Sequence, residues 1–366
     1  MEIKSLRLEN FRNYETLSLS FAGAGTPTSI IGQNAQGKTN ILEAIYLLAL
    51  TRSFRTSCQP DLIQWGSDFA RVTGRLETME GEKDLEVFIG NPPQPKRSLK
   101  KNGVKTSTYD FVGNCRIVFF HPEDLNILYL GPDLRRKYLD ILNIQLSPRY
   151  YRALRSYKRI LEQRNSLLRN IRDGIAAVGD LKIWDEQLVA EGAVIMSERQ
   201  KTVEFINRNV SRVYSRISGN AGDKVEVAYN SFFDSAGDLS EQNILDGFAE
   251  RLKLAQNKDL QALVTSVGPH RDDIFFELNG RRIAMHASRG EYRSLLLALK
   301  LIELEYFEAA SGEKPILLLD DVFSELDAER QKALMQGIEG CQTILTATHQ
   351  DGVHGVKITC GTGVCA

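Results

Sequence analysis

Residues 32–39 carry the clearest chemistry in this 366-residue chain. They fit the pattern Gly-x4-Gly-Lys-Ser/Thr, a loop whose backbone N–H groups surround phosphates. The candidate nucleotide-contacting residues of the loop are Gly32, Gln33, Asn34, Ala35, Gln36, Gly37, Lys38 and Thr39. In such a loop the lysine reaches the β- and γ-phosphates and the threonine hydroxyl binds Mg²⁺. The sequence therefore predicts a nucleoside triphosphate site.

The segments on either side of this loop fit that function. Residues 28–31 form a short β-type segment, and residues 40–50 have apolar side chains at helical spacing. A strand, a glycine loop and a helix thus follow one another, and the helix N-terminus adds its positive dipole end. A chance glycine turn before a helix is the weaker interpretation.

A second candidate region is an apolar strand, residues 316–319, that ends in Asp320 and Asp321. A magnesium-dependent ATPase needs one carboxylate near the metal and another near the attacking water. We assign Asp320 to the metal, together with Thr39, and Asp321 to the catalytic water. The alternative is a helix-capping aspartate. Because about 280 residues separate the two motifs, the pattern indicates that something has been inserted between them.

Two further motifs lie near this second region. Ser288 and Gly290 open an apolar helix, which makes a candidate anion site. Their position resembles the signature motif of ABC-type ATPases, which completes the nucleotide site of a second subunit; a plain helix cap is the alternative. His349 follows the strand 343–347 and fits the switch histidine of that class, so we count it as catalytic; a structural histidine is the alternative.

Composition excludes several classes of protein. The chain is 42% hydrophobic and 25% charged, as in soluble globular proteins. No apolar run approaches the length of a membrane span, and the N-terminal residues lack a signal-peptide core. The five cysteines are scattered without a C-x-x-C pair. We therefore expect a cytoplasmic protein without a disulfide framework or zinc site.

The net charge is only −1, but basic residues are concentrated in two places. Residues 149–172 contain eight Lys or Arg and one acidic residue, and residues 96–105 form a second basic cluster around an Asn-Gly turn. Either cluster could bind DNA phosphates or be a solvated face. The candidate DNA-binding residues are Arg149, Arg152, Arg155, Lys158 and Arg159.

The remaining pattern divides the chain into β-rich and helical parts. The first 120 residues alternate like strands, and residues from about 122 to 259 have mainly helical spacing. One predicted helix of about 25 residues has an apolar stripe that includes Tyr157 and Ile175 and is interrupted by Arg164. A second stripe runs from Val203 to Ile217. Together they predict an antiparallel, coiled-coil-like pair, with an ordinary helical subdomain as the alternative.

These motifs, taken together, resemble the RecF family, bacterial recombination-repair ATPases of the SMC-like ABC group. The resemblance covers essentially the full chain. The residues that carry it lie at 8–14, 32–39, 122–125, 131–140, 268–273, 288–291 and 320–327.

The resemblance implies an α/β fold: an ABC-type P-loop ATPase head with an inserted helical, coiled-coil-like arm domain. We place the head at residues 1–121 and 263–366 and the arm at 122–262. The implied cofactors are ATP and Mg²⁺. The implied function is ATP-dependent dimerisation and DNA binding at gaps and single/double-strand junctions. Weak DNA-dependent ATP hydrolysis would release the DNA, and RecO and RecR would be partners in loading recombinase, replication restart and the SOS response.

The resemblance also implies roles for single residues. Ser288 would contact the γ-phosphate held by the partner subunit, and Arg12 and Asn13 would approach the nucleotide. Asp321 stands where ABC ATPases carry a glutamate one methylene longer, which indicates slow hydrolysis. No glutamine can be placed at the usual metal-and-water loop, where His121-Pro122-Glu123 lies instead.

Two other functions fit less well. The nucleotide-binding subunit of a membrane transporter would leave the basic helix and residues 135–137 (Arg-Arg-Lys) without a task. A chromosome-organising protein would need arms of hundreds of heptad residues, whereas this insert spans fewer than 150.

Overall fold

The computed structural model describes residues 1–91, 93, 96–231, 240–348, 355–361 and 364–365. They form two compact units. The first comprises residues 1–125, 216–219 and 293–366, and the second comprises residues 126–215 and 220–292. The predicted domain boundaries at 121/122 and 262/263 stay predictions.

The elements follow one another along the chain. Up to residue 125 the described elements are β1 (Glu2–Phe11), β2 (Tyr14–Ser20), β3 (Thr28–Ile31), α1 (Lys38–Leu50), β4 (Phe69–Thr78), β5 (Gly81–Gly90), β6 (Arg97–Lys101), β7 (Val104–Lys105), α2 (Thr108–Phe111) and β8 (Ile117–Phe120), with 3₁₀ turns at Gln59–Leu62 and Pro122–Leu125. The next are α3 (Asn126–Tyr129), α4 (Pro132–Leu146), α5 (Pro148–Arg172), α6 (Leu181–Ser218), β9 (Val225–Asn230), α7 (Glu241–Ala262), β10 (Asp273–Leu278), β11 (Arg281–Arg282) and α8 (Ile283–His286), with a 3₁₀ turn at Val178–Asp180. The last are α9 (Arg289–Ser311), β12 (Ile316–Leu319), α10 (Ala328–Gly337), β13 (Thr343–Ala347), β14 (Val356–Gly361) and β15 (Val364–Cys365), with a 3₁₀ turn at Val322–Glu325.

A largely parallel sheet in the first unit positions the candidate site. Its strand order is β15-β14-β3-β13-β12-β8, and only β15 is antiparallel to its neighbour. All residues of β3 and β12 are buried, as expected where both faces of a parallel sheet are covered. The predicted strands at 28–31, 316–319 and 343–347 are confirmed. Because the strands are parallel, the residues that follow β3, β8, β12 and β13 meet at one edge.

The second sheet of this unit is antiparallel, in the order β2-β1-β4-β5-β6-β7. Helix α1 contacts strands of both sheets and is buried on all sides from Ile41 to Leu50. A helix that is buried all round needs apolar residues on every face, which explains its sequence. The predicted Asn-Gly turn is confirmed: Asn102 and Gly103 have positive φ between β6 and β7.

The predicted antiparallel helix pair is confirmed in the second unit. Arg164 bonds Asp185, Tyr150 bonds Arg199, and a Cβ on Gly192 would lie 3.1 Å from Tyr157. The two residue numbers in each pair have the same sum, so α5 and α6 run antiparallel. Gly192 is needed because the helices approach closely there.

Two details of this unit differ from the prediction. The stripe does not reach Ile175: α5 ends at Arg172, Gly174 has a φ of +74°, and Ile175 is 74% exposed. A glycine in the left-handed region ends the helix before that residue. In addition, α7 runs parallel to α5, since Arg149 pairs with Glu241 and Arg164 with Asp259. The arm is therefore more than a helix pair.

Candidate nucleotide-binding site

The phosphate loop lies between β3 and α1, as predicted. The Gly32 N–H donates to the carbonyl of Ala347 at the end of β13 (3.3 Å), which ties the loop to the sheet. Ala35 and Gly37 have φ values of +66° and +98°, and such a chain path turns successive N–H groups inward. Buried Lys38 donates to the carbonyls of Gly32 (2.6 Å) and Gln33 (3.2 Å). These neutral contacts leave its charge available for an anion.

The turn between β1 and β2 packs directly on this loop. A Cβ on Gly37 would lie 2.5 Å from Asn13 Nδ2 and 2.7 Å from the Tyr14 hydroxyl, so only glycine fits. Asn13 Oδ1 accepts from Asn40 Nδ2 (2.7 Å). Arg12 instead directs its guanidinium to Glu43 and to the carbonyl of Asp61. The approach of Asn13 and Arg12 to a nucleotide stays a prediction.

The two predicted magnesium ligands lie together although 281 residues separate them. The Thr39 hydroxyl donates to Asp320 Oδ1 (3.0 Å), and the Thr346 hydroxyl donates to the same oxygen (2.8 Å). Within the described ranges no group of three His, Cys, Asp or Glu residues could form a metal cage. One carboxylate and one hydroxyl suit Mg²⁺, which is usually held by few protein oxygens together with substrate phosphates. The donor set therefore fits the implied ion.

Asp321 lies beside this pair in a constrained backbone position. Its φ is +51°, and its N–H donates to the Thr346 hydroxyl (2.9 Å). Burial raises the pKa of its carboxyl group, while Lys38 opposes the shift. A raised pKa makes a carboxylate a better proton acceptor, as a group that activates water needs.

Sequence reasoning did not assign His121 or Thr346 to this site. His121 Nε2 lies 3.6 Å from Asp320 Oδ2, and Nδ1 accepts from the Glu123 N–H (3.2 Å), which leaves the proton on Nε2. The imidazole packs near Phe54 and Phe119. His121 thus occupies the position where the expected glutamine could not be found. The signal that could have found both residues is their place directly after β8 and near the end of β13.

Ser288 begins α9 in the manner of a capping box. Its hydroxyl accepts from the Glu291 N–H (3.3 Å), and its own N–H donates to Glu291 Oε2 (2.6 Å). Hydrogen bonds from the Ser288 side chain and from its N–H to the carboxylate lower the pKa of Glu291. Ser288 is exposed, and Gly290 lies in the first turn. Ser288 thus caps the helix, and its role in a partner's site stays a prediction. His349 lies outside the described residues.

The candidate DNA-binding residues form an exposed face of α5. All five are exposed. Arg149 forms an ion pair with Glu241, and Arg152 Nε donates to the carbonyl of Pro148 (3.3 Å). The role of this face in binding DNA phosphates stays a prediction.

Two arginines of the basic run at 135–137 bond to other residues of the second unit. Arg135 donates to both carboxylate oxygens of Asp273 (2.7 and 2.9 Å), and Arg136 donates to the carbonyl of Asp272 (2.6 Å). These two arginines stabilise the second unit.

Among the helices that the structure describes, none combines the length and the apolar character that a membrane span requires.

Comparison with known proteins extends this picture. Residues 2–362 match the family described as the RecF/RecN/SMC N-terminal domain. The DNA replication and repair protein RecF of Lachnoclostridium phytofermentans is 37% identical over 349 residues, covering 95% of this chain and 93% of that protein. The RecF protein of Streptococcus pyogenes serotype M5 is 39% identical, with 99% and 98% covered.

Solved structures agree. One described as the recombination mediator protein RecF-ATP in the RecFOR pathway has a TM-score of 0.90 at 36% identity, covering all of this chain and 96% of that one. An SMC head bound to a winged-helix domain of ScpA has a TM-score of 0.58 at 17% identity, covering 100% and 96%, and shows similarity of fold alone.

Proposed function

Because the chain belongs to the RecF family of DNA replication and repair proteins, within the RecF/RecN/SMC N-terminal domain family, we propose that it is an ATP-dependent DNA-binding protein of recombination repair. The observation that carries the proposal is the contact between Thr39 and Asp320, which joins the phosphate loop to the acidic strand end beside Lys38. A solved relative described as RecF-ATP supports ATP as the nucleotide.

Each residue of this site has a defined task in the proposal. Lys38 exchanges its two carbonyl partners for oxygens of the β- and γ-phosphates. Thr39 and Asp320 hold Mg²⁺, which neutralises phosphate charge when bound. Asp321 accepts the proton of the attacking water, and its raised pKa suits that step. Its short side chain makes hydrolysis slow. ATP therefore acts as a conformational switch, with binding and hydrolysis setting the state of the protein.

The switch in this proposal is dimerisation. Ser288 and the N–H groups at the start of α9 complete the nucleotide site of a second copy, since a helix N-terminus attracts phosphate. DNA is bound at gaps and single/double-strand junctions by the closed dimer, and hydrolysis releases it. The RecFOR pathway to which the solved relatives belong supports RecO and RecR as partners.

DNA binding with and without ATP tests the proposal. We expect the Asp321→Asn variant, which retains ATP, to bind gapped DNA at least tenfold more tightly with ATP than with ADP, and more tightly than a blunt duplex. The measurement is fluorescence anisotropy of labelled gapped, single-stranded and duplex DNA at one salt concentration. Equal affinity for all three DNAs in both nucleotide states would refute the proposal.

The role of Ser288 has its own test. We expect Ser288→Arg to prevent ATP-dependent dimerisation while ATP affinity changes less than about twofold, because the serine would act on the partner's nucleotide. Ser240→Arg is the matched control, since Ser240 is another exposed serine that caps a helix, α7, through the Asn243 N–H. Loss of dimerisation in both variants would indicate a general effect of cap loss.

A further inference from the structure

Glu43 is a charged residue inside the buried helix α1. Its side chain has no exposed area, and its neighbours on the helix from Ile41 to Leu50 are otherwise apolar or aromatic. A buried carboxylate is costly unless it is paired and hydrogen-bonded. Its partners therefore indicate what the residue is for.

The Glu43 carboxylate joins three segments of the first unit. Arg12 donates to both of its oxygens (2.9 and 2.7 Å), so the turn between β1 and β2 is attached to α1. The Ser53 hydroxyl also bonds Glu43, and Arg55 Nη1 lies 3.9 Å from it, so the segment after α1 is attached too. The third donor group of Arg12 reaches the carbonyl of Asp61 (2.8 Å).

The backbone of the attached turn needs such support. Asn10 and Arg12 have φ values of +48° and +55°, in the left-handed region that residues with a Cβ adopt at a cost. Residues held in such conformations persist only where their surroundings determine them. The two hydrogen bonds that Arg12 donates to Glu43 on the buried helix α1 supply that constraint.

The same turn fixes the phosphate loop. Asn13 packs on Gly37, the residue directly before α1, and its Oδ1 accepts from the Asn40 amide (2.7 Å). Arg55 donates to the other end of that amide, Asn40 Oδ1 (2.8 Å). Asn40 is thus held from two sides, and both holders lie on segments attached to Glu43.

We propose that Glu43 is a positioning residue for ATP: by holding Arg12 and Arg55 it keeps Asn13 and Asn40 in place against the start of α1, so that the phosphate loop stays shaped for a triphosphate. The inference rests on the proposed function, because it assigns a task within the ATP site. Glu43 itself does not touch the nucleotide.

The test compares Glu43→Gln with Glu313→Gln. Glu313 is a second buried carboxylate of the first unit, which lies within 3.7 Å of both the Met1 amino group and Arg116 and accepts from the Met79 N–H. We expect Glu43→Gln to raise the ATP dissociation constant about tenfold, the scale on which supporting residues act. The rate at saturating ATP should change less than the affinity. Glu313→Gln should lower the melting temperature without changing ATP affinity.

A double-mutant cycle of Glu43→Gln with Arg12→Gln tests whether Glu43 acts through Arg12. If Glu43 acts through Arg12, the double variant should bind ATP about as weakly as either single variant. Arg12→Lys, which keeps the charge but cannot bond both oxygens in the same fork, provides an independent variant if Glu43→Gln fails to fold. It should also weaken ATP binding about tenfold.

The outcomes separate this inference from the proposed function. If the wild-type chain binds no ATP, the proposed function fails. If the wild type binds ATP but Glu43→Gln and Arg12→Lys bind it equally well, only the positioning role is overturned. Equal weakening by Glu43→Gln and Glu313→Gln, or independent effects in the cycle, would also overturn it.

Discussion

Basic and acidic side chains mark both units of the molecule, but their partners differ in kind. At the nucleotide site, Lys38 is held by two backbone carbonyls, and one oxygen of Asp320 is held by two threonine hydroxyls. In the second unit, the buried arginines pair with carboxylates, as Arg164 does with Asp259 and Arg199 with Asp140.

The difference distinguishes groups kept for a ligand from groups that stabilise the fold. A charge held by neutral dipoles stays available to an incoming opposite charge, whereas a charge neutralised inside the protein is already satisfied. We infer that the kind of partner, rather than the residue type, distinguishes the charged residues that would act on ATP.

The largest expected effect tests this distinction with two lysines of the first unit. Lys38→Met should weaken ATP binding by more than about 100-fold, or roughly 3 kcal/mol, with little change in melting temperature. Lys300→Met should do the reverse, because Lys300 is buried between Asp124 and Glu303 and its loss removes the cation that lies against both carboxylates. Titration with a fluorescent ATP analogue and thermal unfolding measure the two effects. Loss of ATP binding in both variants would contradict the distinction.

A second prediction concerns the buried pairs of the second unit. Arg164→Met leaves Asp259 buried without its cation and should cost about 3–5 kcal/mol of that unit's stability, while ATP affinity stays the same. The exposed pair of Arg172 with Asp173 gives the control, since water screens exposed ion pairs and Arg172→Met should leave the stability of the unit nearly unchanged. In a Trp65→Phe background, Trp184 on α6 is the single tryptophan that reports unfolding. Similar losses of stability in Arg164→Met and Arg172→Met would show that burial of an ion pair does not determine how much stability its removal costs.

A third prediction uses the pH dependence of the second unit. Burial raises the pKa of Asp272 from 3.8 to about 6, so the folded chain binds more protons there than the unfolded chain between these values. The stability from this group is complete below pH 4 and is lost as the pH rises through 6, about 3 kcal/mol in all. Burial lowers the pKa of His270 from 6.5 to about 4, and its contribution runs the opposite way.

Asp272→Asn separates the two contributions. The variant keeps an acceptor for the Tyr229 hydroxyl and lacks the titrating carboxyl group. The melting temperature of the variant minus that of the wild type should therefore increase between pH 4.5 and pH 7.5. His270 is present in both proteins and cancels. A difference in melting temperature that stays constant with pH would contradict the assignment.

The smallest expected effect concerns the exposed face of α5. Changing Arg152 and Arg155 to Glu should make the dependence of DNA affinity on salt shallower, by about one unit of slope for each phosphate that the variant no longer binds. Arg208→Glu on α6 is the control, since Arg208 is 72% exposed. An unchanged slope would remove this helix from the DNA interface and leave the hairpin at 96–105 as the rival surface.

Local sequence patterns predicted the features that depend on residues close together in the chain. The phosphate loop and the strands at 28–31 and 316–319 follow from residue spacing within a few positions. The sequence placed His121-Pro122-Glu123 where the metal-and-water loop was expected, but no local pattern assigned His121 a contact with Asp320. It reaches Asp320 only through the parallel register of β8 with β12, in which Phe120 faces Leu319. Register is a tertiary property, and a shift by one residue would turn each side chain to the other face.

The partners of the buried arginines could not be predicted for the same reason. Arg164 was recognised as a break in the apolar stripe, but its partner Asp259 lies 95 residues away on another helix. Arg135 likewise pairs with Asp273, 138 residues away. The apolar stripe distinguished Arg164 from the exposed arginines of α5, but no local pattern identified its partner or that of Arg135.

In the proposed dimer, the Lys38 site is one half of a nucleotide site that a second copy of the chain completes. The most direct measurement is the mass of the wild-type protein by light scattering with Mg²⁺ and either ATP or ADP. We predict a doubling of the monomer mass with ATP, no doubling with ADP, and none for Lys38→Met in either state. A wild-type chain that stays monomeric at saturating ATP would contradict the claim.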